Sequence, residues 1–97
     1  MTLTVLLDLR LKPEARADAP GMLRDILAGT RSFAGCLGVD VLLDSADAGH
    51  VILFERWESV EADAAYRAWR VGDGATQLGS LLEAAPTITS FTTASDI

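Results

Sequence analysis

Apolar and polar positions alternate from the first residues of the chain. Leu3, Val5, Leu7, Leu9 and Leu11 fall on one side and Thr2, Thr4, Asp8 and Arg10 on the other, with Leu6 interrupting the polar side. A period of two marks a strand whose apolar face must meet another layer. Lys12-Pro13 ends it. Apolar residues then recur at helical spacing, at Ala19, Met22, Leu23, Ile26 and Leu27 with Thr30 in the same phase. Pro20-Gly21 breaks this stretch, and proline inside a helix costs about 3 kcal/mol. The regular helix is therefore expected to start near Asp18 as N-cap, with Glu14 to Ala17 as a separate or kinked first turn and Gly29 to Gly35 as its exit.

A second strand is expected over Cys36 to Asp44, with Leu37, Val39, Val41 and Leu43 on one face and Cys36, Gly38, Asp40 and Leu42 on the other. Ser45 to Gly49 has turn composition. His50 to Trp57 follows as a third strand, which makes a hairpin. Its faces are Val51, Leu53, Glu55 and Trp57 against His50, Ile52, Phe54 and Arg56. Ser59 is a suitable N-cap, with Glu58 and Glu61 near the positive end of the next helix. In that helix Ala62, Ala65, Tyr66 and Trp69 form the inward stripe, while Asp63, Arg67 and Arg70 are expected to face water. Gly72 to Gly74 closes it. A short helix carrying Leu78, Leu81, Leu82 and Ala85 is expected before Pro86, and a threonine-rich last strand over Thr87 to Thr93.

The order β-α-β-β-α-(α)-β predicts an α+β fold: a ferredoxin-like βαββαβ unit, with a four-stranded antiparallel sheet and the helices on one side. Leu6, Leu42, Ile52 and Phe54 would then share the uncovered sheet face, which is more apolar than an exposed face should be. A second copy of the chain is the simplest cover, so a homodimer is expected.

Composition narrows the choice. Ninety-seven residues make one domain, 1–97, and 49% apolar with 23% charged residues excludes a disordered chain. No apolar run approaches the ~18 residues of a membrane span, and the start lacks the features of a secretory leader. The lone Cys36 cannot form an internal disulfide and reads as a small core filler. A cytoplasmic protein with no membrane partner is expected. The net charge is −6 and the eight basic residues are scattered, so no nucleic acid is expected as a partner either. Metal-ligand spacing, a dinucleotide fingerprint and a P-loop are all missing from the sequence, so no metal and no cofactor is expected.

Phe33-Ala34-Gly35-Cys36-Leu37, then Val51 to Ser59 with its Glu55-Arg56-Trp57-Glu58-Ser59 core, then an aromatic residue nine positions past the tryptophan, resemble the antibiotic biosynthesis monooxygenase (ABM) domain. The resemblance implies a dimeric α/β barrel, in which two ferredoxin-like sheets pack face to face. It also implies a cofactor-free oxygenase of phenolic, anthrone or quinol compounds of polyketide type, because such substrates supply the electrons themselves. Two alternatives stay open within the same superfamily: a small-molecule-binding protein without catalysis, and a small isomerase or cyclase.

On this resemblance Trp57 and Tyr66 are the candidate catalytic residues, donating hydrogen bonds to a substrate oxyanion. Val39, Val41, Val51, Leu53, Glu55 and Trp69 are the candidate binding residues for a small aromatic or hydrophobic ligand. The other reading of Trp57 is a packing residue at a strand end, and of Tyr66 a core tyrosine bonded to backbone. Glu55, inward on its strand, needs an arginine or backbone partner, or serves as a base. The sequence departs from the anthrone oxygenases at several points. Leu53 stands where they carry asparagine and Val41 where they carry tyrosine; only Arg70 lies near their arginine, and Tyr66 replaces a helix histidine. His50, the sole histidine, reads as a solvated turn residue.

Overall fold

The computed structural model describes residues 2–97; Met1 lies outside the described residues. The chain runs β1 (Leu3–Arg10), α1 (Ala19–Ser32), β2 (Cys36–Leu43), β3 (His50–Trp57), α2 (Val60–Arg70) and β4 (Thr87–Thr92). The four strands form one sheet in the order β2-β3-β1-β4, with every neighbouring pair antiparallel. This is the α+β, ferredoxin-like arrangement that the alternation pattern predicts.

The period-two pattern of β1 is realised fully. Leu3, Val5, Leu7 and Leu9 are buried while Leu6 and Asp8 between them are only half-buried. In the ladder Val5 lies opposite Glu55 and Leu7 opposite Leu53, so the inner residues of β1 and β3 share one face. Onto that face α1 places Ala19, Leu23, Leu27 and Thr30, and α2 places Tyr66. Each large side chain fully buried here contributes about 1.5–3 kcal/mol relative to exposure.

Pro20 sits in the first turn of α1, where its missing N–H costs nothing, and a short 3-10 turn at Pro13–Ala15 precedes it, as expected. Asp18 occupies the N-cap position but its side chain makes no capping bond. The helix continues past Gly29 to Ser32, beyond the expected exit, because Thr30 is fully buried and bonded from its own inward phase. Gly35 then turns the chain at φ +91°, and a Cβ there would lie 2.5 Å from the Ala62 Cβ. Glycine is therefore required by both conformation and space.

Two expectations are corrected. A bulge between Cys36 and Gly38 shifts the register of β2: Cys36 pairs with Trp57 and Gly38 with Arg56. Cys36 thus joins the inner face and Leu37, expected inside, is 51% exposed. The extra residue of a bulge flips the side chains that precede it. The second correction concerns residues 78–85, where only a 3-10 turn forms, Leu78–Leu81. Leu82 is already extended, Lys12 N–H donates to Leu81 O, and Glu83 N–H donates to Arg10 O. Backbone groups that a helix would have used internally are paired with the end of β1 instead. Leu81 and Leu82 are buried by that docking.

On the outer face Leu6, Ile52 and Phe54 are half-buried, while Leu42 and Phe91 are about half exposed. Leu6 lies opposite Phe54 in the ladder, and Leu42 opposite Ile52, so these residues form one patch across three strands. Among the described residues no helix is long and apolar enough to cross a membrane.

Candidate functional site

Strand alternation sends Leu7, Leu53 and Glu55 toward the helices, and β4 adds Ile88 opposite Leu7. The space between this part of the sheet, α1 and α2 is a cavity of about 530 Å³. Leu7, Ile26, Leu27, Leu53, Leu82 and Ile88 make its apolar wall. Its polar end is formed by Glu55, Asp63, Tyr66, Arg67 and Arg70. A volume of this size is in the usual range for a small-molecule site.

Glu55 is 1% exposed, the one buried charged residue among those described. Such a carboxylate is costly without compensation. Its Oε1 accepts hydrogen bonds from Trp57 Nε1 at 3.0 Å and from Arg67 Nη2 at 2.5 Å. The first bond follows from strand geometry, because residues two apart share a face. The second supplies the expected arginine partner, from α2. Arg67 Nε also donates to Asp63 Oδ1 at 3.0 Å, one helical turn back.

Tyr66 is 3% exposed, and its hydroxyl makes two hydrogen bonds. It lies 2.6 Å from Thr30 Oγ1 and accepts from Arg70 Nε at 2.8 Å. Arg70 also donates from Nη2 to Ile26 O and Thr30 Oγ1, and from Nη1 to Gly74 O. This arginine therefore ties α2 to α1. The guanidinium carbons of Arg67 and Arg70 stand 4.9 and 5.1 Å from the Tyr66 ring centroid. Both positions favour a cation over the ring's negative face.

The expected pocket residues separate into four groups. Leu53, Glu55 and Tyr66 line the cavity. Trp57 is completely buried behind it, its indole N–H given to Glu55 and its ring 4.7 Å from that of Tyr66, so it presents no polar atom to the cavity. Trp69 packs beside Phe33, and Val39 belongs to the core. Val41 and Val51 line a second cleft, also about 530 Å³, on the far side of Leu27, which touches both spaces. The single pocket expected from the strand phase is divided because α1 lies across the inner face.

Arg67 and Arg70, expected to face water, are the main functional side chains that helical phase alone missed. Phase gives the direction of the Cα–Cβ bond, and a long arginine stem turns back from it. The signal available in the sequence was Glu55 itself, an inward carboxylate that demands a cation. Thr30 announced itself as the polar member of an otherwise apolar stripe. Ala65, placed inward by the same phase argument, is exposed.

His50 is bonded rather than free. Nδ1 lies 2.8 Å from Asp44 Oδ2 and Nε2 lies 3.0 Å from Asp8 Oδ1. Hydrogen bonding to Asp44, then to Asp8, raises its proton affinity above the ordinary histidine value. The bond from His50 lowers the pKa of Asp44 in turn. Burial pushes the Cys36 thiol up, which suits a packing residue and not a nucleophile. Among the described residues no three histidine, cysteine or carboxylate side chains cluster as metal ligands.

The family model for antibiotic biosynthesis monooxygenase matches residues 2–77. The chain belongs to this family. Several solved structures share its fold. A candidate antibiotic biosynthesis monooxygenase from Deinococcus radiodurans is 26% identical, covers 100% of this chain and 96% of its own, and superposes with a TM-score of 0.81. Rv0793 from Mycobacterium tuberculosis is 24% identical over 99% of this chain and 98% of its own, with a TM-score of 0.82. A further antibiotic biosynthesis monooxygenase is 22% identical over 95% and 98%, with a TM-score of 0.81. None of the curated proteins compared matches the sequence.

Proposed function

We propose that this ABM protein is a cofactor-independent monooxygenase of a small planar phenolic, anthrone or quinol substrate. In this reading residues 1–97 form a single domain that acts as a homodimer in the cytoplasm. The observation that carries it is the cavity: leucine and isoleucine walls ending in Tyr66, Arg67 and Glu55. Such a site takes a flat apolar ring system and meets its oxygen substituent with cationic donors. An anthrone methylene loses a proton, and the resulting electron-rich anion reduces dioxygen. A carbon–oxygen bond forms, and the peroxide then collapses. The CH2 becomes C=O, the second oxygen atom leaves as water, and the four electrons come from the substrate. The protein's tasks are to hold the ring, to stabilise the anion by hydrogen bonds and charge, and to exclude bulk water from the peroxide.

Within that scheme Tyr66 and Arg67 meet the oxyanion, and Trp57 acts through Glu55. One observation favours a second reading, a ligand-binding protein without catalysis. The Trp57 N–H and the Tyr66 hydroxyl are both already bonded within the protein. Oxygen uptake with anthrones and hydroquinones, with chelator present and no flavin added, decides between them. Turnover that falls by about 100-fold in Tyr66→Phe is the expected result for a lost oxyanion contact. Ligand binding with no oxygen uptake across the panel refutes the monooxygenase and leaves the binding protein.

A further inference from the structure

The Glu55 carboxylate is asymmetric in a way that structure-holding does not require. Both of its hydrogen bonds, from Trp57 and from Arg67, arrive at Oε1. Oε2 accepts none from the described residues. No side-chain oxygen among them is both fully sealed and unpaired, so Oε2 keeps a trace of exposure although the residue as a whole is only 1% exposed. The residue lines the cavity, on the side where Tyr66 and Arg67 also stand. A carboxylate held rigidly by one oxygen, with a free lone pair on the other inside an apolar cavity, has the properties of a general base. It is held in place, poorly hydrated and set in the wall of the cavity.

We propose that Glu55 is the general base that removes the acidic C–H proton of the bound substrate. The C–H bond breaks, the proton goes to Oε2, and the electron pair stays on the substrate as an enolate or phenolate. Arg67 then serves both partners, neutralising Oε1 before transfer and facing the new anion after it. In the oxygenase scheme the protonated Glu55 returns its proton to the peroxide formed from dioxygen, and the carboxylate is restored. Trp57 is a positioning residue in this step: its N–H fixes Oε1 and leaves Oε2 to take the proton. The inference rests on the proposed substrate class, a carbon acid, but not on the oxygen step.

Deprotonation can be read without oxygen. Under argon in deuterated buffer, the full-length protein should speed exchange of the methylene hydrogens of anthrone, followed by proton NMR. Glu55→Gln should slow that exchange by about 100-fold or more, the usual range for a lost general base. Its anthrone affinity, read from tryptophan fluorescence, should stay within a few-fold of wild type. Glu55→Asp keeps the charge but shortens the reach by one methylene, and should retain a small part of the rate. If Glu55→Gln does not fold, the drop in Glu55→Asp carries the test. Wild-type exchange no faster than buffer overturns the proposal, as does an exchange rate unchanged in the variants. Oxygen uptake that survives loss of Glu55 overturns the base and spares the monooxygenase. Exchange that depends on Glu55 in a protein that consumes no oxygen sustains the base and overturns the monooxygenase, pointing to an isomerase.

Discussion

Replacing Arg67 by methionine tests the energetic logic of the site before any substrate is known. Methionine keeps most of the aliphatic stem and removes the cation, leaving Glu55 with the Trp57 N–H alone. Removing one partner from a buried ion pair costs about 3–5 kcal/mol, because the remaining charge stays desolvated. Two features lower that figure here. The Arg67 side chain is 26% exposed, and Glu55 lies against the cavity. A loss of about 2–3 kcal/mol is therefore expected, which for a chain of this length lowers the melting temperature by about 10–20 °C. The Asp63 pair is lost as well, but an i,i+4 pair contributes only about 0.3–0.5 kcal/mol. Adding Glu55→Gln to Arg67→Met should recover at least 1 kcal/mol, since a neutral amide tolerates the site better than an unpaired carboxylate. Urea denaturation of wild type, both single variants and the double variant supplies the cycle. An Arg67→Met protein within 0.5 kcal/mol of wild type, or a double variant less stable than Arg67→Met, refutes the reasoning.

The His50 cluster gives a pH dependence of definite sign. His50 has a raised pKa when folded, so its contribution is complete below its ordinary value of 6.5 and is lost as pH rises through the folded value. Asp44, whose pKa is lowered, contributes above its ordinary 3.8 and loses that contribution as pH falls through its folded value. The urea midpoint should therefore fall from pH 6 to pH 9 in wild type and stay flatter in His50→Gln; equal slopes refute it. Association is tested at the outer sheet face: sedimentation should give twice the 10.3 kDa chain mass at micromolar concentration, and Phe54→Asp should give monomer or insoluble protein. A wild-type monomer removes the dimer.

How much of this could be read from the sequence depended on the range of the cause. The face of Leu3, Val5, Leu7 and Leu9 was legible because a strand's period is local and one face is covered. The place of Pro20 was legible because a missing N–H matters within one turn. Leu37 was misplaced because a bulge is a property of a pair of strands, and nothing in Cys36-Leu37-Gly38 alone states where β3 will slip. The leucines at 78, 81 and 82 have helical spacing, but their backbone is claimed by the end of β1, about seventy residues earlier in sequence. The site follows the same rule. The inward faces of Glu55, Trp57 and Tyr66 came from local phase. The partners of Tyr66 depend on longer range: Thr30 is 36 residues away in sequence, and Arg70 is also bonded to Ile26, 44 residues away.

The two arginines of the cavity are not equivalent, and their hydrogen bonds show why. A guanidinium has five N–H donors. Arg70 makes four bonds, to Tyr66, Gly74, Ile26 and Thr30, and so is committed to joining the helices. Arg67 makes two, to Asp63 and Glu55, which leaves three donors without a partner among the described residues. In a chain of net charge −6, a part-exposed cation with unspent donors at the mouth of an apolar cavity favours the anionic form of whatever enters. Deprotonating the ligand strengthens its attraction to Arg67, while protonating Glu55 releases the same arginine from its first partner. One cation thus couples the two halves of a proton transfer, and a phenol or carbon acid gains from that coupling where a neutral hydrocarbon of the same shape does not.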